Sequence, residues 1–381
     1  MTSINTVTTQ PGGAPPAGHD SFKPVACLPH SVDNRPLVAH RIAERLRGRA
    51  AGVRVRQCVV VRTVAPGLVS VRIRGGRADF ERIGLACAFD DSGGAGEPPP
   101  SLRKQLGYVA VDQRCFAGRV VVGEGLLDAS ELATCVGPRP EVGAVVVRIN
   151  GGYFNFLRRA SAEVPEYAAI GPVAGAGGRP GLSLPVPAAF ASDYQSVTFG
   201  DGSLFSSAPV LSRRGTAVFA GKAQDDPNYR LPEGFSFDRG GLIPPGHLWH
   251  AHDANPRAGL SLPAGPGEGI VRLVAAPMPD RSMAASGYTL RTFSQVMARL
   301  DRLHPDGRGK GVANSSLNLD GGESLLLQAW AGGQRRVDIR QVSHPRSVGN
   351  FIEFRSHGVL GAGIPARQVG PEGPGDIHTP L

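Results

Sequence analysis

The pattern of apolar and polar positions changes period several times along this chain. Near residues 36–50, Leu37, Ile42 and Leu46 fall at helical spacing, which predicts a short amphipathic helix with an arginine-rich outer face. From residue 53 the period is two: Val53, Val55, Val59 and Val61 alternate, and a second apolar run at 68–73 follows Pro66-Gly67. This predicts two strands joined by a tight turn. Short strands are also expected at 108–111 and 119–122, and a helix at 124–135. Residues 144–149 form a continuous apolar run broken by one arginine, as in a buried strand, and lead directly into Asn150-Gly151-Gly152.

Further strands are expected at 195–199, within 204–219, and at 270–275. The clearest helical signal follows Thr289, a candidate N-cap, with Phe293, Val296, Met297, Leu300 and Leu303 on one face. After a glycine-rich turn at 307–311, residues 312–319 read as a strand ending in Asn318-Leu319-Asp320-Gly321-Gly322. Strands near 324–330, 336–342 and 349–354 complete the pattern. Residues 91–101 and 171–187 read as loops, and 221–247 have almost no periodicity.

Composition sharpens this picture. Among 381 residues there are 52 glycines and 33 prolines, too many turn formers for a helical protein and without the period of a fibrous one. The expected class is α+β: a mixed β-sheet core with few helices and long Gly/Pro-rich loops. The expected organisation is a disordered leader over 1–34, a short helix over 35–52, a catalytic domain over 53–357, and a flexible tail over 358–381. The formal charge of +9 comes almost wholly from dispersed arginines, with four lysines in all. That dispersal does not form the basic stripe of a nucleic-acid binder. Five cysteines, Cys27, Cys58, Cys87, Cys115 and Cys135, form no CxxC pair and read as small buried hydrophobes. No apolar stretch has membrane-spanning length, and the leader lacks a basic and apolar signal pattern, so the default location is cytoplasmic. The leader's Ser, Thr and Pro content would also suit export by a specialised secretion system.

The chemistry concentrates in the two glycine-flanked strand ends. Paired glycines let a ligand approach the backbone, and free N–H groups there can bind an anion. Asn150 adds an amide and Asp320 a carboxylate; each motif alone also reads as an ordinary Gly-rich turn.

Residues 149–154, Ile-Asn-Gly-Gly-Tyr-Phe, resemble the first signature of the phosphodiester glycosidase family, which includes the catalytic domain of the mannose 6-phosphate uncovering enzyme. Residues 317–324, Leu-Asn-Leu-Asp-Gly-Gly-Glu-Ser, resemble its second. Between and after them, Asn255-Pro256-Arg257-Ala258-Gly259, Ser286-Gly287-Tyr288-Thr289-Leu290 and Arg346-Ser347-Val348-Gly349-Asn350 are similar to three more family segments, in the family's order. Three features depart from the pattern: Glu323 stands where glycine is usual, Ala258 replaces a hydroxyl residue, and 221–254 aligns with nothing.

The resemblance implies hydrolysis of a sugar 1-phosphodiester to a free sugar and a phosphomonoester. Asp320 is then the candidate nucleophile or general base, and Glu323 a second carboxylate or else a solvated loop residue. Arg257 and Arg346 would bind phosphate through the guanidinium fork, unless they serve as structural ion-pair partners. Asn150 would bond a sugar hydroxyl or phosphate oxygen, or cap its own turn. Gly151, Gly152, Asn318, Gly321, Gly322 and Ser324 complete the expected substrate-binding set. The partner implied is a small molecule or glycan bearing phosphate. No cofactor is assigned. His247, His250 and His252, before Asp253, have ligand-like spacing, but a substrate-contacting loop is the preferred reading and no metal site is assigned. The alternative to the enzyme is a catalytically inactive carbohydrate- or phosphate-binding protein on the same scaffold.

Overall fold

The computed structural model describes residues 58–90, 101–127, 144–155, 168–219, 222–223, 225–231, 244–263, 269–302, 313–346 and 348–357. The expected leader, the helix at 36–50, the loop at 91–100, the turn at 307–311 and the tail lie outside these residues.

The strands are β1 (Val59–Ala65), β2 (Leu68–Gly75), β3 (Lys104–Asp112), β4 (Phe116–Leu127), β5 (Val146–Asn150), β6 (Ala169–Ile170), β7 (Ser183–Leu184), β8 (Gln195–Thr198), β9 (Leu204–Ser207), β10 (Val210–Arg213), β11 (Thr216–Ala217), β12 (Arg257–Leu262), β13 (Ile270–Ala276), β14 (Ser315–Leu319), β15 (Leu326–Ala331), β16 (Gln334–Arg340) and β17 (Val348–Ser356). Two α-helices are described, α1 (Arg77–Arg82) and α2 (Leu290–Asp301). The fold is α+β with a mixed β-sheet core. One sheet of eight strands runs β1-β2-β3-β13-β12-β14-β10-β11 and one of five runs β16-β15-β5-β17-β4. Both are antiparallel at every pairing, and the parallel component is the short β6–β7 pair.

The two sheets pack face to face, and the two-residue period of a strand explains how. Along β3, Val109 and Val111 enter a core shared with Val147, Ile149, Leu327 and Ile352 of the smaller sheet. Their neighbours Leu106, Tyr108 and Ala110 point the other way, into a second core with Phe293, Val296, Met297 and Leu300 of α2. The eight-stranded sheet is therefore buried on both faces at its centre, which is why β3 and β13 read as near-continuous apolar runs. Cys58 lies in the helix-side core, with Cys87 packed against it and Cys115 against the inter-sheet core.

The helix after Thr289 forms as its spacing predicts, and the Thr289 hydroxyl accepts the Thr292 N–H at 3.2 Å. At its far end, buried Asp301 receives the hydroxyls of Ser212 in β10 and Ser261 in β12, tying the helix to the sheet. The helix expected at 124–135 is not observed where it can be checked: residues 124–127 continue β4, and 128–135 lie outside the described residues. Cross-strand pairing with β17 outweighs local helical spacing there, in a segment already weakened for helix by Gly123 and Gly125.

On the outer face of the smaller sheet, Glu353 of β17 is fully buried among three arginines. Arg119 and Arg148 stand directly across from it on β4 and β5, and Arg355 lies two residues along. Burial pushes the Glu353 carboxyl up, but the guanidinium groups outweigh it and hold it below the ordinary glutamate range. No helix among the described residues is long and apolar enough to cross a membrane.

Candidate functional site

The two glycine-flanked motifs belong to different sheets. Asn150 ends β5 in the smaller sheet, and Asp320 follows β14 in the larger one. They meet where the sheets pack together. Asp320 N–H donates to Gly151 O at 3.0 Å, and Asn150 Nδ2 donates to Asp320 O at 2.6 Å. Asn150 Oδ1 accepts the Leu326 N–H at 3.0 Å. One amide therefore holds both ends of the 320–326 loop. With 0% exposure, Asn150 has both its side-chain polar atoms engaged in this brace rather than in capping its own turn.

The glycines likewise serve close packing. Gly151 N–H donates to Asn350 O, and Gly152 N–H to Asn350 Oδ1. A Cβ at Gly151 would lie 1.7 Å from Asn350 Oδ1, and one at Gly152 2.0 Å from Ser206 O. In the second motif Gly322 N–H donates to Pro256 O, and a Cβ at Gly321 would lie 2.4 Å from that same oxygen. The N–H groups of Gly151, Gly152 and Gly322 are thus used inside the protein, so the expected anion cradle at the paired glycines does not form. The reason is geometric: the strand ends approach so closely that backbone and Asn350 occupy the space a phosphate would need. Asn350 carried no sequence signal beyond its place at the end of the closing segment.

Asn318 and Arg257 project to the helix-side face, opposite the inward Leu317, Leu319 and Ala258. Asn318 is fully buried, and its Nδ2 bonds Tyr153 Oη at 2.6 Å, Ala208 O at 3.1 Å and Leu319 O at 2.9 Å. Tyr153, three residues after Asn150 in the first motif, thereby reaches across to the second. Arg257, 2% exposed, donates Nε to Tyr288 O at 2.8 Å and Nη2 to the carbonyls of His250 and Asp253. Those bonds fix the histidine loop to β12.

Asp320 is half-buried as a residue, while its Oδ2 is sealed from solvent and has no hydrogen-bond partner. Burial raises its carboxyl above the ordinary aspartate range, opposed by Ser324, Arg346 and the Gly321 N–H. The Ser324 hydroxyl lies close enough to favour the charged form, yet outside hydrogen-bonding geometry. Glu323 points outward, 59% exposed, with its carboxylate 3.7 Å from Arg346, itself 34% exposed. The Arg346 N–H also donates to Glu323 O. Glu323 is therefore placed as the partner of Arg346 on the rim.

The three histidines go separate ways. His247 packs on Phe190, His250 edge-on to Tyr153, and His252 against Phe219 and Tyr229. Among the described residues no group of three His, Cys, Asp or Glu side chains could hold a metal ion. His250 joins the site: burial, then the charges of Arg257 and Arg346, push its imidazole down to about 3, so it is neutral at physiological pH. Tyr194, from the turn before β8, has a hydroxyl buried without a partner among the described residues, and Asp320 is one of the charges acting on it.

No protein-family profile matches this chain, and no curated protein is significantly similar to it in sequence. Among solved structures it is similar to a candidate exported protein from Burkholderia pseudomallei, at 12% identity over 78% of this chain and 96% of that one, with a TM-score of 0.46. A likeness of that degree carries no functional weight.

Proposed function

We propose that this protein hydrolyses a phosphate-linked glycoside, a sugar 1-phosphodiester, at the anomeric C–O bond. Water supplies the hydroxyl that ends on the sugar, and the bridging oxygen leaves with the phosphomonoester. The single observation that carries the reading is the Asp320 carboxylate, with raised proton affinity and a buried, unpartnered oxygen, beside the cation of Arg346. A base of raised pKa is better matched to proton abstraction near neutral pH than an ordinary aspartate. Phosphate is a good leaving group, so one carboxylate acting as nucleophile or base suffices with little general-acid help. Arg346, half-exposed at the rim, is the guanidinium in position for the phosphodiester. The order of the family-like segments at 149–154, 255–259, 286–290, 317–324 and 346–350 supports the same reading.

One observation favours a second reading. Glycosidases usually pair two carboxyl groups, and here Glu323 is engaged with Arg346, leaving Asp320 as the inward carboxylate of the second motif. A binding protein without turnover would tolerate that arrangement. Asp320→Asn separates the two. In assays against sugar 1-phosphodiesters and nucleotide-linked sugars, turnover should fall by about 10²–10⁴-fold while ligand binding persists. Wild-type binding without turnover across the panel favours the binder, and full activity in the variant removes Asp320 from the mechanism.

A further inference from the structure

Buried polar atoms are almost always hydrogen-bonded in native proteins, because each one left unpaired is costly. Around Asp320 that rule is broken repeatedly. Asn318 Oδ1, Asp320 Oδ2 and Tyr194 Oη are all sealed from solvent and have no hydrogen-bond partner among the described residues. The Asn318 amide orientation is set by its neighbours, since Nδ2 faces two backbone carbonyls that require a donor. Its oxygen is therefore an acceptor awaiting a donor.

Tyr194 belongs to the same neighbourhood. Its hydroxyl lies beneath Gly246, where an added Cβ would sit 3.4 Å from Oη and 3.5 Å from Ile170 Cγ2. Ile170 N–H donates to Tyr153 O, and Tyr153 carries the hydroxyl that Asn318 bonds. Burial holds the Tyr194 phenol neutral, and Tyr153, then Asp193, then Asp320 raise its proton affinity further. No fold-stabilising role is visible for that hydroxyl: a phenylalanine would pack the same ring.

We propose that Tyr194 Oη and Asn318 Oδ1, beside Asp320, form a hydrogen-bonding subsite for the polyhydroxylated part of the ligand. The chemistry of the atoms selects the class. Asn318 Oδ1 and the Asp320 carboxylate are acceptors and demand O–H or N–H donors from the ligand. A sugar ring presents several donors, whereas an ionised phosphodiester presents none and would be repelled by a carboxylate. The phosphate end is thus directed toward Arg346 and the sugar end toward Tyr194. The inference rests on the proposed glycoside-phosphate reading, and Tyr194 becomes a specificity-determining residue of that site.

The test is Tyr194→Phe in the full chain, with thermal unfolding and titration calorimetry using glucose 1-phosphate, N-acetylglucosamine 1-phosphate and inorganic phosphate. The variant should keep or exceed the wild-type Tm. Affinity for at least one hexose 1-phosphate should fall by about 5–20-fold, the usual effect of one buried hydrogen bond, with inorganic phosphate unaffected. A lowered Tm would show that the hydroxyl serves the fold, through a protein group or a resident water, and would overturn the proposal. Unchanged hexose 1-phosphate affinity would do the same. If Arg346→Gln meanwhile abolishes inorganic phosphate binding, the phosphate reading stands and only the subsite fails. If the wild type binds none of the three probes, both fall.

Discussion

Asn150 and Asp320, separated by 170 positions and carried on different sheets, are joined side chain to backbone at 2.6 Å. With the Asp320 N–H on Gly151 O and the Asn150 Oδ1 on Leu326 N–H, the bond makes the second motif's loop a structure held by the first. The catalytic candidate is positioned by a residue that the sequence pattern offered as a ligand contact.

Asn150→Ala should therefore act on stability first. It deletes two hydrogen bonds in a fully buried setting and leaves the Asp320 carbonyl and Leu326 N–H unpaired, a loss of about 2–4 kcal/mol. Urea unfolding measures it. Asn150→Asp should be at least as damaging at neutral pH, because a carboxylate would face the Asp320 carbonyl with no donor to offer. Weakened ligand affinity at unchanged stability would instead make Asn150 a ligand contact.

The two candidate phosphate-binding arginines should behave differently. Arg257 spends its guanidinium on the carbonyls of Tyr288, His250 and Asp253, so Arg257→Lys should lower stability by about 1–3 kcal/mol. Arg346 is partly exposed and its Glu323 ion pair spans 3.7 Å between solvent-accessible groups, so Arg346→Lys should leave Tm within a few degrees while weakening phosphate affinity. Parallel melting curves and phosphate titrations decide it. Equal losses of phosphate affinity in both variants, with stability intact, would return Arg257 to the binding set.

Asp320 should cost the fold stability when ionised. Its folded pKa is raised by burial, so its contribution is most favourable below the ordinary value of 3.8 and is lost as pH rises through the raised folded value. Asp320→Asn removes that penalty. The variant should gain on the wild type as pH rises from 4 toward neutrality, with little difference at the acid end of that range. A gap that widens toward acid pH would mean that Arg346 and Ser324 hold the carboxylate below its ordinary value, contrary to the burial effect.

Much of the scaffold was legible along the chain because its signals are local. A two-residue period marks β1, β2 and β3, an apolar run marks β5, and Thr289 with the spacing from Phe293 to Leu300 marks α2. Each reflects one element burying one face or two, and needs no knowledge of what it packs against. The failure at 124–127 has the complementary cause, since a strand partner 220 or more residues away at β17 outweighed local spacing.

The order of residues along the chain puts an amide and paired glycines at one strand end and a carboxylate and paired glycines at the other. Their roles follow from how the two sheets meet. That meeting turned the glycines from an anion cradle into contact points, because Asn350, Ser206 and Pro256 occupy the space a side chain would need. It assigned Asn150 to bracing and Arg257 to anchoring, because each found backbone groups that required a partner. It also set Tyr194 within the electrostatic reach of Asp320 and His250 edge-on to Tyr153, from segments without any spacing relation to the motifs. Hydrogen-bond satisfaction is a property of atoms close in space, and positions along a chain do not reveal which atoms those will be.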